Sequence, residues 1–78
     1  MTLDQIEMLM IGDLINIRTT DGADVMMHIT YIDNQPNRVI YGTAFWSDNR
    51  TTQEAVLEHQ LISYEGRSAY SPAAATLH

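Results

Sequence analysis

Strict alternation of apolar and polar residues dominates the middle of the chain. Ile15, Ile17 and Thr19 alternate with Asn16 and Arg18, and a period of two puts the two sets on opposite faces of a strand. Val25, Met27, Ile29 and Tyr31 alternate again with Asp24, Met26, His28 and Thr30. Asp21-Gly22 stands between the two runs, where Gly tolerates positive φ and Asp bonds its own backbone, so a hairpin is predicted. Asp33 to Asn37 is a second turn rich in chain breakers. The next run carries apolar residues on both faces, Val39, Tyr41 and Phe45 on one and Ile40, Ala44 and Trp46 on the other. That pattern predicts a third strand covered on both sides.

Two short strands follow a polar loop from Ser47 to Gln53, with His59-Gln60 as the tight turn between them. The predicted strands cover about 13–20, 24–32, 38–46, 54–58 and 61–65. Ahead of them, residues 2–10 read as a short amphipathic helix. Thr2 is its N-cap and Gln5 completes a capping box. Leu3, Ile6 and Met10 share a face, and Gly12 supplies a stop. Ile6, Met8 and Met10 also alternate, so an extension of the first strand is the competing reading of this segment. Residues 1–65 make one domain. Residues 66–78 change to Ser, Ala, Pro and Thr, which reads as a tail, either loose or docked on a neighbouring subunit through Tyr70 and Leu77.

Seventy-eight residues bury little core, and domains of this size gain much from oligomerisation. Cysteine is absent, so disulfides and thiolate metal sites are excluded. No apolar run has the length of a membrane helix, and no basic segment precedes an apolar one at the N-terminus, so a cytoplasmic protein is expected. The formal charge is -6, from ten acidic residues against four arginines and no lysine. Such a balance opposes generic phosphate binding. It leaves room for recognition through base stacking and base edges.

Ile15 and Ile17, Asp21-Gly22, Ile29, Ile32-Asp33, Asn37 and Val39-Ile40 fall in one ungapped register. Together they resemble the first motif of the Sm-like proteins, the small-barrel family that includes the bacterial RNA chaperone Hfq. Leu57-Glu58-His59, followed by Leu61 and Ile62, is similar to the second motif of the Hfq type. Two positions depart from the pattern. Met27 stands where the family often has Gly, and Glu58 stands where Hfq has a basic residue. The resemblance implies a five-stranded, strongly bent antiparallel barrel of Sm-like or SH3-like type with a short N-terminal helix, all-β in class. It implies fourth and fifth strands left as edges, and a cyclic homo-oligomer of roughly five to seven subunits closed by head-to-tail contacts. Val56, Leu57, Leu61 and Ile62 would lie near the junction. Asp33, Asn37 and His59 would line a pore and bind single-stranded RNA or DNA.

Each of these residues also has a plainer role. Asp33 and Asn37 stabilise exposed turns by themselves, and His59 can be a structural histidine bonded to backbone. Copies of Glu58 gathered at a ring axis would repel a nucleic-acid backbone. Tyr41, Phe45 and Trp46 offer a stacking surface, but large aromatics at these positions are more simply core and subunit interface. Catalytic patterns are missing: no serine elbow, no phosphate loop and no close pair of histidines for a metal. Neither enzymatic activity nor a cofactor is expected. The competing functional reading is an acidic oligomeric module, of a kind suited to phage or mobile-element genomes, that docks a protein partner and binds no nucleic acid.

Overall fold

The computed structural model describes residues 1–67. A short helix α1 (Leu3–Glu7) precedes strands β1 (Asp13–Arg18), β2 (Asp24–Asp33), β3 (Val39–Phe45), β4 (Thr51–Leu57) and β5 (Leu61–Arg67). The strands form one antiparallel sheet in the order β4-β3-β2-β1-β5. β4 and β5 are therefore its two edges, yet only the 3-10 turn Glu58–Gln60 joins them. Laid flat, the edges of five strands stand about 19 Å apart at about 4.8 Å per spacing. A 3-10 turn rises only about 2 Å per residue. The sheet must curl to bring its edges within reach, and it forms a small, strongly bent, open barrel.

The curl has identifiable causes. β2 is the longest strand. Its first half pairs with β1, from Asp24 to His28, and it pairs with β3 from Met26 to Asp33. The β2–β3 register shifts between Ile29 and Tyr31, and an extra residue of this kind bends a strand and increases its twist. Directly opposite Ile29 lies Gly42. A Cβ at Gly42 would stand 2.3 Å from the His28 carbonyl oxygen and 2.8 Å from Met27 Cγ. β3 thus crosses β2 at a distance that only glycine allows. The small residue expected on the second strand is here a fully buried Met27. The room for the bend comes from the facing strand instead, through Gly42 and through Ala44 opposite Met27.

The concave face holds the core. Ile15, Ile17, Met27, Ile29, Ile40 and Val56 are fully buried, with Ile6, Leu9, Val25, Ala44 and Leu61 around them. α1 caps one end of this core. Its Thr2–Gln5 capping box is formed, with bonds of 3.2 and 2.9 Å. The helix is shorter than its periodicity predicts, and Ile6 and Leu9 bury themselves while Leu3 and Met10 stay exposed. The reason lies at Asp13, whose Oδ2 accepts the Met10 N–H while its own N–H donates to the Met10 carbonyl. This turn ends the helical path early. Gly12, at φ 99°, sits inside the turn and donates to the Ile29 carbonyl, so it starts β1 rather than stopping α1.

Among the described residues, β3 is covered on one face only. Ile40, Gly42 and Ala44 are buried, whereas Tyr41 and Phe45 on the convex face are exposed. Trp46 lies beyond the strand in a tight hairpin. Its Nε1 donates to Thr52 Oγ1 at 2.8 Å, and the Arg50 guanidinium sits 4.5 Å from its ring centroid. That hairpin uses Asn49 at φ 67°, so β4 begins at Thr51, earlier than the polar run suggests. β5 continues through Gly66 and Arg67. The docking arm at Tyr70 and Leu77 falls outside the described residues.

The β1–β2 hairpin is tied by carboxylates. Arg18 donates Nε and Nη2 to the two Asp24 oxygens, and the Thr19 hydroxyl bonds Asp21. The Arg18 bond holds the Asp24 carboxyl below its usual range, and the Thr19 bond does the same for Asp21. Carboxylates depressed in the folded state stabilise it above their unfolded pKa, and that contribution is lost as pH falls through the folded values. Acid titration of the thermal midpoint should show a shallower acid limb in an Asp21→Asn, Asp24→Asn variant than in the wild type. Identical limbs would show that the hairpin carboxylates make no linked contribution.

Candidate nucleic-acid interface

The resemblance names Asp33, Asn37 and His59, and the structure places them around one end of the barrel. Asp33 closes β2, and its Oδ1 accepts the Gln35 N–H at 3.0 Å. This is local turn chemistry, which starts the 34–38 loop in a fixed direction. Asn34 Oδ1 accepts Arg38 Nε at 3.0 Å. Arg38 Nη1 then donates to Glu58 Oε2 at 2.8 Å across the gap to the 3-10 turn. Pairing of Val39 with Leu57 brings the residues just beyond them, Arg38 and Glu58, to the same sheet end.

That ion pair pins the β2–β3 loop to the β4–β5 turn. Asn37 and His59 each stand one residue from it, and both are exposed. The turn is braced from its other side by Gln60, which accepts the Leu57 N–H and donates to the Arg18 carbonyl. His59 and Gln60 line a shallow depression of about 290 Å³ with Arg18, Thr19 and Thr20. His59 thus faces the β1–β2 hairpin, and Asn37 belongs to the opposite loop. Among the described residues neither side chain has a hydrogen-bond partner, so both are available to a ligand.

The ion pair alters the electrostatic picture drawn from sequence. Glu58 would crowd a ring axis as an uncompensated anion, but Arg38 offsets it within the same chain. All four arginines are in fact matched with carboxylates: Arg18 with Asp24 at 2.7 Å, Arg38 with Glu58 at 2.8 Å, Arg50 with Asp48 at 3.7 Å, and Arg67 with Asp13 at 3.9 Å. With no lysine in the chain, every Arg and Lys side chain has a carboxylate within 4 Å. Sequence reading missed the Arg38–Glu58 contact. The signal was present in the β3–β4 register, because setting Val39 opposite Leu57 sets Arg38 beside Glu58.

The four expected junction residues divide into two pairs. Val56 and Leu61 are buried in the chain's own core, while Leu57 is 42% and Ile62 37% exposed. Alternation along each edge strand accounts for this, since neighbouring residues point to opposite faces. The convex face adds Tyr31 and Tyr41, with ring centroids 5.8 Å apart and planes tilted by 43°. Trp46, which the alternation sets on the side of Ile40 and Ala44, packs against the edge of the core. Among the described residues no cluster of His, Asp and Glu is placed to hold a metal ion, and no helix is long and apolar enough to cross a membrane. Comparison with protein-family models, with curated proteins and with solved structures found no match.

Proposed function

We propose that this protein is an Sm-like homo-oligomer that holds a single strand of RNA or DNA by its bases, at the end built from the 34–38 loop and the 58–60 turn. The observation that carries this reading is the Arg38–Glu58 pair at 2.8 Å. It joins the two segments that bear the family's binding residues, compensates the acidic side chain beside His59, and leaves Asn37 and His59 exposed. Asn37 presents an amide donor and acceptor to a base edge, and His59 presents a ring for stacking. Asp33 acts as the positioning residue of the loop. Two sheet edges that no described strand pairs, with Leu57 and Ile62 exposed on them, support closure with further copies of the chain.

Because every arginine is already matched, binding of this kind releases few counterions. Affinity for a nucleic acid that is gripped through phosphates falls steeply with salt; here it should stay nearly flat between low and moderate salt. Fluorescence anisotropy with short U-rich and A-rich RNAs and a single-stranded DNA tests this directly. Asn37→Ala should weaken binding about tenfold, the scale of one lost base-edge contact. Absence of binding at low salt, where attraction is least screened, would eliminate the reading.

One observation favours the second reading, an acidic module that docks a protein. The formal charge of -6 is spread over a surface that also exposes Tyr31, Tyr41 and Phe45, a combination that suits a cationic partner carrying apolar side chains. Failure of every nucleic acid in the anisotropy series, together with a stable oligomer, would leave this as the function.

A further inference from the structure

A cavity of about 320 Å³ lies between α1, the turn into β1 and the end of β5, and shares no lining residue with the depression at His59. Met8, Leu9, Met10 and Tyr64 give it apolar, polarisable walls, and Asp13 and Arg67 give it polar groups. Asp13 is 2% exposed. Its Oδ2 is used by the Met10 N–H, but its Oδ1 is buried with no hydrogen-bond partner among the described residues. Buried acceptors are nearly always satisfied, and an orphan costs more than an ordinary hydrogen bond returns.

The neighbour that ought to satisfy it does not. Arg67 Nε lies 3.9 Å from Oδ1, beyond hydrogen-bond range, and Nη2 donates instead to the Met10 thioether, a weak acceptor. The Arg67 side chain is 63% exposed and so has solvent to swing into. Asp13 Oδ1 has essentially no surface open to the cavity as it stands, so a ligand reaches it only as the exposed Arg67 side chain swings aside. The site then offers one unfilled acceptor, one under-used donor group and two opposite charges that already offset each other. A ligand that brought a net charge would unbalance this pair. A ligand with an adjacent donor and acceptor would complete it. The size is at the small end for ligand sites, enough for a single ring system, and methionine sulfur against a flat ring is a favourable contact.

We propose that this cavity binds a small, neutral amino-heterocycle, its amino group donating to Asp13 Oδ1, its ring nitrogen accepting from Arg67, and its ring lying among Met8, Met10 and Tyr64. The site is separate from the end that carries Asn37 and His59, and it does not depend on nucleic-acid binding.

Two-dimensional amide NMR of the full chain, titrated with 2-aminopyrimidine and in parallel with pyrimidine, tests the proposal. The amino compound should shift the amides of Met8, Met10, Asp13 and Arg67 saturably at millimolar concentrations. Pyrimidine, which lacks the donor, should bind about tenfold more weakly, the equivalent of one hydrogen bond. Asp13→Asn keeps an oxygen for the Met10 N–H and sets an NH₂ against the ligand's own donor, so it should abolish the preference. If that variant does not fold, Arg67→Gln, exposed and outside the core, serves instead. It should weaken both compounds, which share the ring nitrogen, and leave the preference for the amino compound in place; unchanged affinity for both would overturn the assignment. Equal affinity for both compounds, shifts confined to other residues, or no shifts at millimolar concentrations would overturn the assignment.

Discussion

Gly42→Ala should cost the fold about 3 kcal/mol or more, the upper end of what overpacking a core causes. For a chain of 78 residues, total stability on the usual scale is about 4–12 kcal/mol, so one methyl group would remove a large share of it. The clash cannot be relieved by a rotamer change. The nearest atom, 2.3 Å from the new Cβ, is the His28 carbonyl oxygen, and β2 is paired on both sides at that point, to Leu14 and to Thr43. The next atom belongs to Met27, which has no exposed surface. Relief requires β3 to move away from β2, and that breaks the ladder where the sheet bends. Gly22→Ala is the matched control, because nothing stands within 4 Å of that position and only its φ of 91° opposes a side chain, a cost of about 1 kcal/mol. Urea unfolding followed by the emission of Trp46 would measure both. Equal costs at the two glycines would show that the close crossing of β2 and β3 does not govern the bend.

Leu57→Glu combined with Ile62→Glu should return the assembly to single chains without unfolding them. Both side chains are on edge strands and more than a third exposed, and neither belongs to the buried cluster. Their loss to the isolated chain is therefore small, while two carboxylates per subunit on the edges proposed to pair would face like charges across the junction. Light scattering should give a multiple of 8.8 kDa for the wild type and 8.8 kDa for the variant. The far-ultraviolet circular dichroism of the two proteins should match. Val56→Glu is the informative contrast, since Val56 is buried in the core and its replacement should unfold the chain instead. A wild type that is monomeric at working concentrations would remove the oligomeric part of the proposal, and with it the pore.

The strands, the Asp21-Gly22 hairpin and the helix cap were legible because each depends on neighbours in sequence. Alternation at Ile15 and Ile17 and at Val25, Met27 and Ile29 reports which face is buried, and all five are in the core. The same logic misjudged Met10, because a contact across a turn, Asp13 to the Met10 N–H, ended the helix before its apolar face could extend, and Leu3 stays exposed on the helix itself. Tyr41 and Phe45, read as core and subunit interface, are exposed in the single chain. An apolar residue in a strand is not bound to be covered by its own chain, and none of the described residues covers these two.

At the candidate interface, the residue types and their approximate place could be read from the chain, since a turn between two strands must lie at a sheet end. Sequence by itself determined the number of strands, the hairpins and the inward face of β1 and of the first half of β2. These follow from a period of two and from turn chemistry, which are properties of a few consecutive residues. Only the tertiary structure decided where the bend takes its room, which is from Gly42 on β3. It also paired every arginine with an acid, cancelling the charge of Glu58 through Arg38, and left Asp13 with a buried oxygen beside an open cavity. Those outcomes depend on register and on distances between segments far apart in the chain, and the free energy that fixes them is that of packing the whole sheet.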